Sequence, residues 1–436
     1  MKHYKIGDRV LLMLGPEDQK VEVERTVVKP IFVWADEIED GALEQLLDAA
    51  AHPCLFHHVA AMPDVHQGYG LPIGGVVAFE GAVSPYCVGK DKGCGMYAIQ
   101  TNILWEKVTR DEIIKLRRLI RKAVPMGPGV AHKEPQEWDG FDKYLVQFTA
   151  GGEFAKDMPE WFTDKGWAWI RRTLGTLGGG NHFIEIQAGS DGYLWIMIHS
   201  GSRKLGDTLC GHHHAIAVKK CKQWRVALPT DRLAFLPTDT PEAKDYLRDL
   251  EFALAFAKEN RLRMAAECIK AMIEVFGVVG VLKRLDVHHN YAALEHHIGR
   301  DVWVHRKGAT SAKKDEYGII PGDMGSPSYI VRGKGNLMAF MSCPHGAGRA
   351  FGIKAACRTL DADEEAAKMD GIVYDTPGTT VIKVKGEKME VPNLGESVGA
   401  YKDIATVMKN AETLCDIEVE LRPLGNIKGG KGKMRR

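Results

Sequence analysis

The chain has 436 residues, 45% of them hydrophobic and 26% charged, a globular composition with ample apolar content for a large core. Its 58 Lys and Arg stand against 57 Asp and Glu, a net charge of +1, so overall charge supplies no pull toward nucleic acid and any such pull must be local. No run approaches the roughly 20 apolar residues of a membrane helix, and the opening MKHYKIGDRV has neither the apolar core nor the cleavage site of a signal peptide. These features predict a cytoplasmic protein with no membrane partner. Nine cysteines, an odd number without a C-x-x-C pair, exclude a disulfide framework and a zinc ribbon. They read as buried thiols, except where neighbours give one a chemical task.

In chain order, the first 35 residues alternate apolar and polar (VLLML, VEVERTVV, IFVW) and read as short strands. An amphipathic helix follows over Ile38 to Ala51, with Leu43, Leu46 and Leu47 on one face. Met62 to Gln100 is glycine-rich strand and loop. Glu106 to Lys122 has Ile113, Leu116 and Ile120 at helical spacing. The run YLWIMIHS, Tyr193 to Ser200, suits a buried strand, and Asp245 to Phe276 is the longest helical segment. The last third returns to strands and turns and ends on the basic KGGKGKMRR, read equally as a solvated tail. There is no internal repeat or linker. Polar clusters fall in every third of the chain, which predicts one intertwined catalytic domain over residues 1–436.

Six segments carry residue types suited to chemistry. In GKDKGCGM, Asp91 and Cys94 lie three apart in a glycine-rich turn, where a carboxylate and a thiolate can share a metal. In LGGGNHFIEIQ, the glycines allow close backbone approach, and Asn181, His182 and Glu185 offer an amide, an imidazole and a carboxylate. Strand alternation puts His182 opposite Glu185 unless the turn re-aims one of them. In IHSGSRKLG, His199 ends an apolar strand before a turn able to cradle an anion. In DVHHNYAALEHH, one of His288 and His289 can reach a given site. His296 and His297, like His212 to His214, read as solvated helix faces.

In VHRKGATSA, Arg306 and Lys307 beside small residues suggest phosphate contact, and GIIPGDMGSPSY reads as a rigid binding loop. In SCPHGAGRA, His345 sits in an accessible turn with Arg349 four residues on, a nucleophile with a phosphate-neutralising neighbour. Together, Asp91, Cys94, His182, His199 and a histidine at 288 or 289 make a mixed hard and soft ligand set suited to two transition ions such as Mn²⁺ or Zn²⁺. The residues alone therefore predict a metal-assisted enzyme acting on phosphate.

The ordered motifs MPDVHQGYGLPIGG, VGKDKGCGM, GGGNHFIEIQ, IHSGSRKLG, DVHHNYA, VHRKGAT, IPGDMGSPSYIV, HGAGR, AYKD and the closing IKG resemble those of the RtcB family of RNA ligases, from about Met62 to Gly429. The resemblance implies an α+β fold, a single domain of mixed and antiparallel sheets with surrounding helices. It implies two Mn²⁺ ions, with Cys94 bridging, Asp91 and His182 on one ion and His199 and His289 on the other. It further implies His345 as the nucleophile that takes GMP from GTP, with Asp64 needed for that step. Asn181 and Arg349 would bind phosphates, and Glu185, Ser328, Tyr401 and Lys428 would hold guanine and ribose.

The implied reaction joins an RNA 2′,3′-cyclic phosphate or 3′-phosphate to a 5′-hydroxyl, on broken or spliced RNA such as tRNA, with an activating protein as a possible partner. The alternative is a GTP-dependent enzyme that caps 3′-phosphate ends and seals poorly. Two departures stand out. Asp323 occupies a position where a serine is frequent, and a carboxylate there can alter contacts to the base. Lys90 and Lys92 flank Asp91 where small or apolar residues are usual; they either touch RNA phosphates, tune the metal site or simply lie exposed.

Overall fold

A computed structural model describes residues 29–148, 162–382 and 388–429 with their side chains, and the backbone of several short flanking strands. Among the described residues two antiparallel sheets dominate. The seven-stranded sheet runs in the order Val281–His288, Gly95–Leu104, Tyr193–Ser200, Phe183–Gly189, Cys415–Lys428, Ser328–Gly333, Tyr317–Ile320. The five-stranded sheet runs Asn290–His297, Arg300–Lys307, Leu71–Phe79, Leu55–Tyr69, Ile31–Val33, and only its last pair is parallel. Each sheet mixes strands from distant parts of the chain. The architecture is mixed α+β, as the motifs imply.

Tyr193–Ser200 shows why a continuous apolar run becomes a strand. Leu194, Ile196 and Ile198 face a core shared with Ile113, Leu116, Ile120, Met264 and Met272. Trp195 and Met197 face a second core with Phe183, Ile330 and Leu421. Both faces are buried, so alternation vanishes from the sequence while the period of two persists in space.

The helix over Asp40–Ala50 matches its pattern, with Leu46 and Leu47 buried. The expected helix from Glu106 instead splits into a short 3₁₀ turn, Trp105–Lys107, and a helix over Arg110–Ala123. Thr109 and Glu112 form a reciprocal capping box that starts the second piece. The long helix covers Pro241–Phe276, four residues more than its apolar pattern indicates. Thr240 caps it, with Pro241 in the first turn. The expected amino-terminal strands appear as Arg9–Leu14 and Ile31–Val33, whereas the stretch after Val21 in VEVERTVV and most of the basic tail lie outside the described residues. All nine cysteines are free thiols, and all but Cys54 are buried. No described helix is long and apolar enough to cross a membrane.

Several expectations are corrected. His296 and His297 lie on a strand, Asn290–His297, where alternation exposes His296 and buries His297 against Glu295 at 3.0 Å. Arg306 and Lys307 are buried, with their charged ends taken up by protein groups. Arg306 pairs with Glu295 and donates to the Ser342 hydroxyl at 2.9 Å and the Phe340 carbonyl at 2.9 Å. Lys307 donates to the carbonyls of Tyr69 at 2.5 Å and Leu71 at 2.8 Å. Lys92 is also buried, donating to Pro85 and Gly89 carbonyls at 3.1 Å each, while Lys90 is exposed. In both buried lysines the ammonium is taken up by backbone carbonyls.

His212 to His214 do lie on a helix, Lys204–Gln223, but not on a solvated face. His213 is buried with its Nε2 2.8 Å from Asp249 Oδ2, and the Tyr144 hydroxyl donates to the other oxygen at 2.8 Å. Removing one partner of such a pair leaves a buried charge, which costs about 3–5 kcal/mol. Tyr144 and Arg248 still hold Asp249, so His213→Ala is expected to lose about 3 kcal/mol in urea unfolding. A loss under about 1 kcal/mol would show the pair to be dispensable.

Candidate active site

The two sheets meet at His289. Val281–His288 is an edge strand of the first sheet, Asn290–His297 of the second, and His289 is the residue between them. Its N–H donates to the Cys94 carbonyl at 2.9 Å and its carbonyl accepts from Ala309 at 3.1 Å. This backbone clamp sends neighbouring side chains opposite ways. His288 turns to the Gly93 carbonyl, 3.0 Å away, and to Arg261, so His289 is the member of the pair that faces the site.

Around Cys94 the side chains form a continuous chain. Asp91 Oδ2 lies 3.0 Å from His182 Nε2, His182 Nε2 3.5 Å from Cys94 Sγ, Cys94 Sγ 3.3 Å from His199 Nε2, and His199 Nε2 3.4 Å from His289 Nε2. The ligand atoms of Cys94, His182 and His199 all lie within 4.8 Å of one another. His182 immediately precedes the strand Phe183–Gly189, so the turn, not the strand's alternation, aims it.

The donor chemistry fits a cation. His182 Nδ1 donates to the Leu177 carbonyl at 2.9 Å and His199 Nδ1 to that of Asn181 at 3.1 Å, which leaves both Nε2 lone pairs facing inward. Burial holds His199 and His289 well below the usual imidazole range, hence neutral. Burial, and then the Asp91 carboxylate, push the Cys94 thiol well up; a bound cation reverses that preference. Asp91 Oδ1 is buried without a protein partner, an orphan oxygen of the kind a metal satisfies.

Three polar residues hold this arrangement from outside. Arg261 of the long helix pairs with Asp286 at 2.6 Å and donates to the carbonyls of Gly93 and Ser200 at 2.9 Å each. Asn260 accepts from the Gly175 and Thr176 N–H groups and donates to the Gly201 carbonyl. Asn290 donates to the Asp91 carbonyl at 3.0 Å. The sequence reading missed all three, although an Asn-Arg pair on a helix face between Phe256 and Met264 is a visible anomaly.

Beside the cluster lies a cleft of ≈ 730 Å³, with His345, Glu185, Tyr401 and Lys428 in its walls. The His345 ring is 4.8 Å from that of His289. Its Nδ1 lies 2.6 Å from Asp64 Oδ2, which also accepts the His345 backbone N–H at 3.1 Å. Asp64 is wholly buried. Since Nδ1–H donates to the carboxylate, Nε2 carries the free lone pair. Gly348, at φ +73°, makes this approach possible: a Cβ there would stand 2.4 Å from the Asp64 carbonyl oxygen.

The far end of the cleft is organised by Glu396, which the sequence reading also missed. It pairs with Arg349, accepts the Tyr401 hydroxyl at 2.5 Å and lies 3.0 Å from Lys428 Nζ. On another wall Asn426 and Gln187 donate to Glu185, yet burial dominates and pushes its carboxyl up to about 8. Asn181 lines the cleft, whereas Ser328 stands behind it, accepting from Gln187 and Gly322. Asp323 reaches the cleft, but its oxygens accept from Gly325, Ser326 and the Ser326 hydroxyl, closing its own loop.

Comparison with known proteins gives this geometry its context. A family model described as "tRNA-splicing ligase RtcB" matches residues 45–429. The RNA-splicing ligase RtcB of Escherichia coli K12 is 34% identical, over 94% of this chain and 99% of the relative. The tRNA-splicing ligases RtcB of Pyrobaculum aerophilum and Thermococcus kodakarensis are 33% and 30% identical, over 92% and 90% of this chain and 95% and 92% of their own. Both the family match and these relatives span nearly the whole length that carries the Cys94 cluster and the His345 cleft, and the chain belongs to the RtcB family.

Proposed function

We propose that this chain is a GTP- and Mn²⁺-dependent RNA ligase that works in the cytoplasm as one catalytic unit over residues 1–436. It joins RNA 2′,3′-cyclic phosphate or 3′-phosphate ends to 5′-hydroxyl ends, on broken or spliced RNA such as tRNA. The observation that carries the reading is the free Nε2 of His345, fixed by Asp64 at 2.6 Å and set beside a buried Cys/His/Asp cluster. A ring nitrogen so oriented is a nucleophile held at a phosphate-binding site, which a simple two-metal hydrolase does not require.

Asp91, Cys94, His182, His199 and His289 would hold two Mn²⁺ ions, with Cys94 shared. Bound there, the ions would neutralise phosphate charge and polarise the α-phosphate of GTP. His345 Nε2 attacks that phosphorus, a P–N bond forms, and pyrophosphate leaves with the electrons of the broken P–O bond. Asp64 keeps the proton on Nδ1 throughout. Asn181 and Arg349 bind phosphates, and Glu185, Tyr401 and Lys428 hold the guanosine, with Ser328 acting from behind the wall through Gln187, which also donates to Glu185. A cyclic phosphate end is first opened by water. The RNA 3′-phosphate then takes GMP from His345, the 5′-hydroxyl attacks the activated end, and GMP leaves. The test is joining of a 3′-phosphate RNA to a 5′-hydroxyl RNA with GTP and Mn²⁺. Guanylylated ends without joined product, even with an activating protein added, would point to end capping instead.

Glu185 makes nucleotide binding pH-dependent. Guanine presents N–H donors along its edge, which need a carboxylate, whereas the free protein keeps Glu185 protonated up to about pH 8. Binding must therefore expel a proton. GTP affinity is expected to rise with pH by up to about tenfold per unit below pH 8 and to level off above it. Calorimetry in buffers of different ionisation enthalpy should find close to one proton released at pH 7, and none from Glu185→Gln. Equal release in the two proteins would remove Glu185 from the base-binding role.

A further inference from the structure

At the end of the Leu55–Tyr69 strand, three residues past His66 of the cleft, Tyr69 stands 44% exposed. Three extended residues span at most about 10 Å, so the Tyr69 backbone lies within about that distance of His66. Arg232 Cζ lies 4.5 Å from the Tyr69 ring centroid, and Lys90 Nζ lies 5.9 Å from it. Lys90 immediately precedes Asp91 of the Cys94 cluster. Tyr86 meets Tyr69 edge to face at 4.8 Å and is itself stacked on His214 at 3.6 Å.

The ledge is built, not incidental. The Lys307 ammonium is spent on the Tyr69 and Leu71 carbonyls, and Gly70, at φ +80°, packs so tightly that a Cβ would stand 3.0 Å from the Arg232 carbonyl oxygen. Among the described residues neither Arg232 nor Lys90 has a carboxylate partner. The nearby acids are taken, Asp207 by Lys204 and Asp231 by Lys222. Two like charges converging on one exposed ring repel each other, and cation–π contact at an exposed site returns only about 0.5–1 kcal/mol. An anion bound by both relieves that repulsion, and the exposed part of the Tyr69 ring can meet a base.

We propose that Tyr69, Arg232 and Lys90 form a subsite for an unpaired nucleotide adjoining the reacting RNA end, with its phosphate between the two cations and its base against Tyr69. A base inside a duplex is already stacked and cannot make this contact, so the subsite selects single-stranded ends. The inference rests on the ligase reading for the identity of the polymer. Half-buried His214 and buried Lys307 position the ledge.

The experiment measures binding of a 3′-phosphorylated single-stranded RNA by fluorescence anisotropy, with GTP-dependent labelling and thermal melting as fold controls. Tyr69→Ala is expected to weaken binding by about tenfold or more, and Tyr69→Phe by less than about twofold. Lys90→Ala with Arg232→Ala should reduce the slope of log affinity against log salt by about 0.7 for each phosphate contact removed. Labelling, melting and binding of a blunt duplex should not change. Wild-type affinity for single strands in both the Tyr69→Ala and the double variant would overturn the subsite, as would equal losses on single strand and duplex. Should Tyr69→Ala fail to fold, the salt slope of the double variant decides. A folded wild type that neither binds nor joins RNA would overturn the ligase reading itself, whereas joining by wild type with unaltered variants overturns the subsite alone.

Discussion

His345→Ala is expected to abolish transfer of radiolabel from the α-phosphate of GTP to the protein while leaving its metal content unchanged. The first half follows from tautomer control. Asp64 is buried and takes both the backbone N–H and the Nδ1–H of His345, so only Nε2 of this ring is available for bonding in the cleft. The second half follows from position: the ring sits 4.8 Å from His289 but lies off the chain of contacts that runs from Asp91 through Cys94. A phosphoramidate is acid-labile, so the wild-type label should be lost in acid and survive base.

Asp64→Asn should slow labelling on the order of 10³-fold or more, because the amide no longer holds the proton on Nδ1. Label persisting in His345→Ala would place the nucleophile elsewhere. Loss of metal in that variant would instead make His345 a ligand.

How far the site was legible depended on whether each residue's task is local. Asp91 and Cys94 share one turn, and His199 ends an unmistakable strand, so type and spacing carry their meaning. The choice between His288 and His289 was not local. It is made by the junction of two sheets, where the His289 N–H is bound by the Cys94 carbonyl, 195 positions earlier in the chain. The same holds for His182, which alternation assigns to the face opposite Glu185 and the preceding turn re-aims.

Arg306, Lys307 and Lys92 misled for a related reason. A cation beside glycines looks like a phosphate ligand until its partners are known, and here those partners are carbonyls and a glutamate from other strands. Glu396 left no signal at all, since its three partners at 349, 401 and 428 lie on separate segments. Helix placement fared better, because apolar spacing is itself local, although the capping box at Thr109 divided a segment that periodicity had joined and the expected helix face at His296 and His297 is a strand.

Cys94→Ala is expected to remove the metal altogether, not half of it. The ligand chain has two arms, Asp91 with His182 and His199 with His289, and the thiol stands between them, 3.5 Å from one histidine and 3.3 Å from the next. Without sulfur, each arm keeps two protein ligands, fewer than a stable transition-metal site commonly provides. Neither arm compensates for the other, because the short contacts that join them run through the thiol to His182 and to His199.

Elemental analysis after extensive dialysis should therefore find wild type with bound metal and Cys94→Ala with little. His289→Ala, which shortens one arm only, should retain the ion held by the other. The scaffold should survive both changes, since Arg261 and Asn260 brace the loops through carbonyls and an N–H pair that no ligand side chain supplies. Full occupancy in Cys94→Ala would mean that the arms bind independently and that the thiol serves no shared ion. A His289→Ala protein as empty as Cys94→Ala would mean that the two ions bind only as a pair, with the thiolate as the link between them.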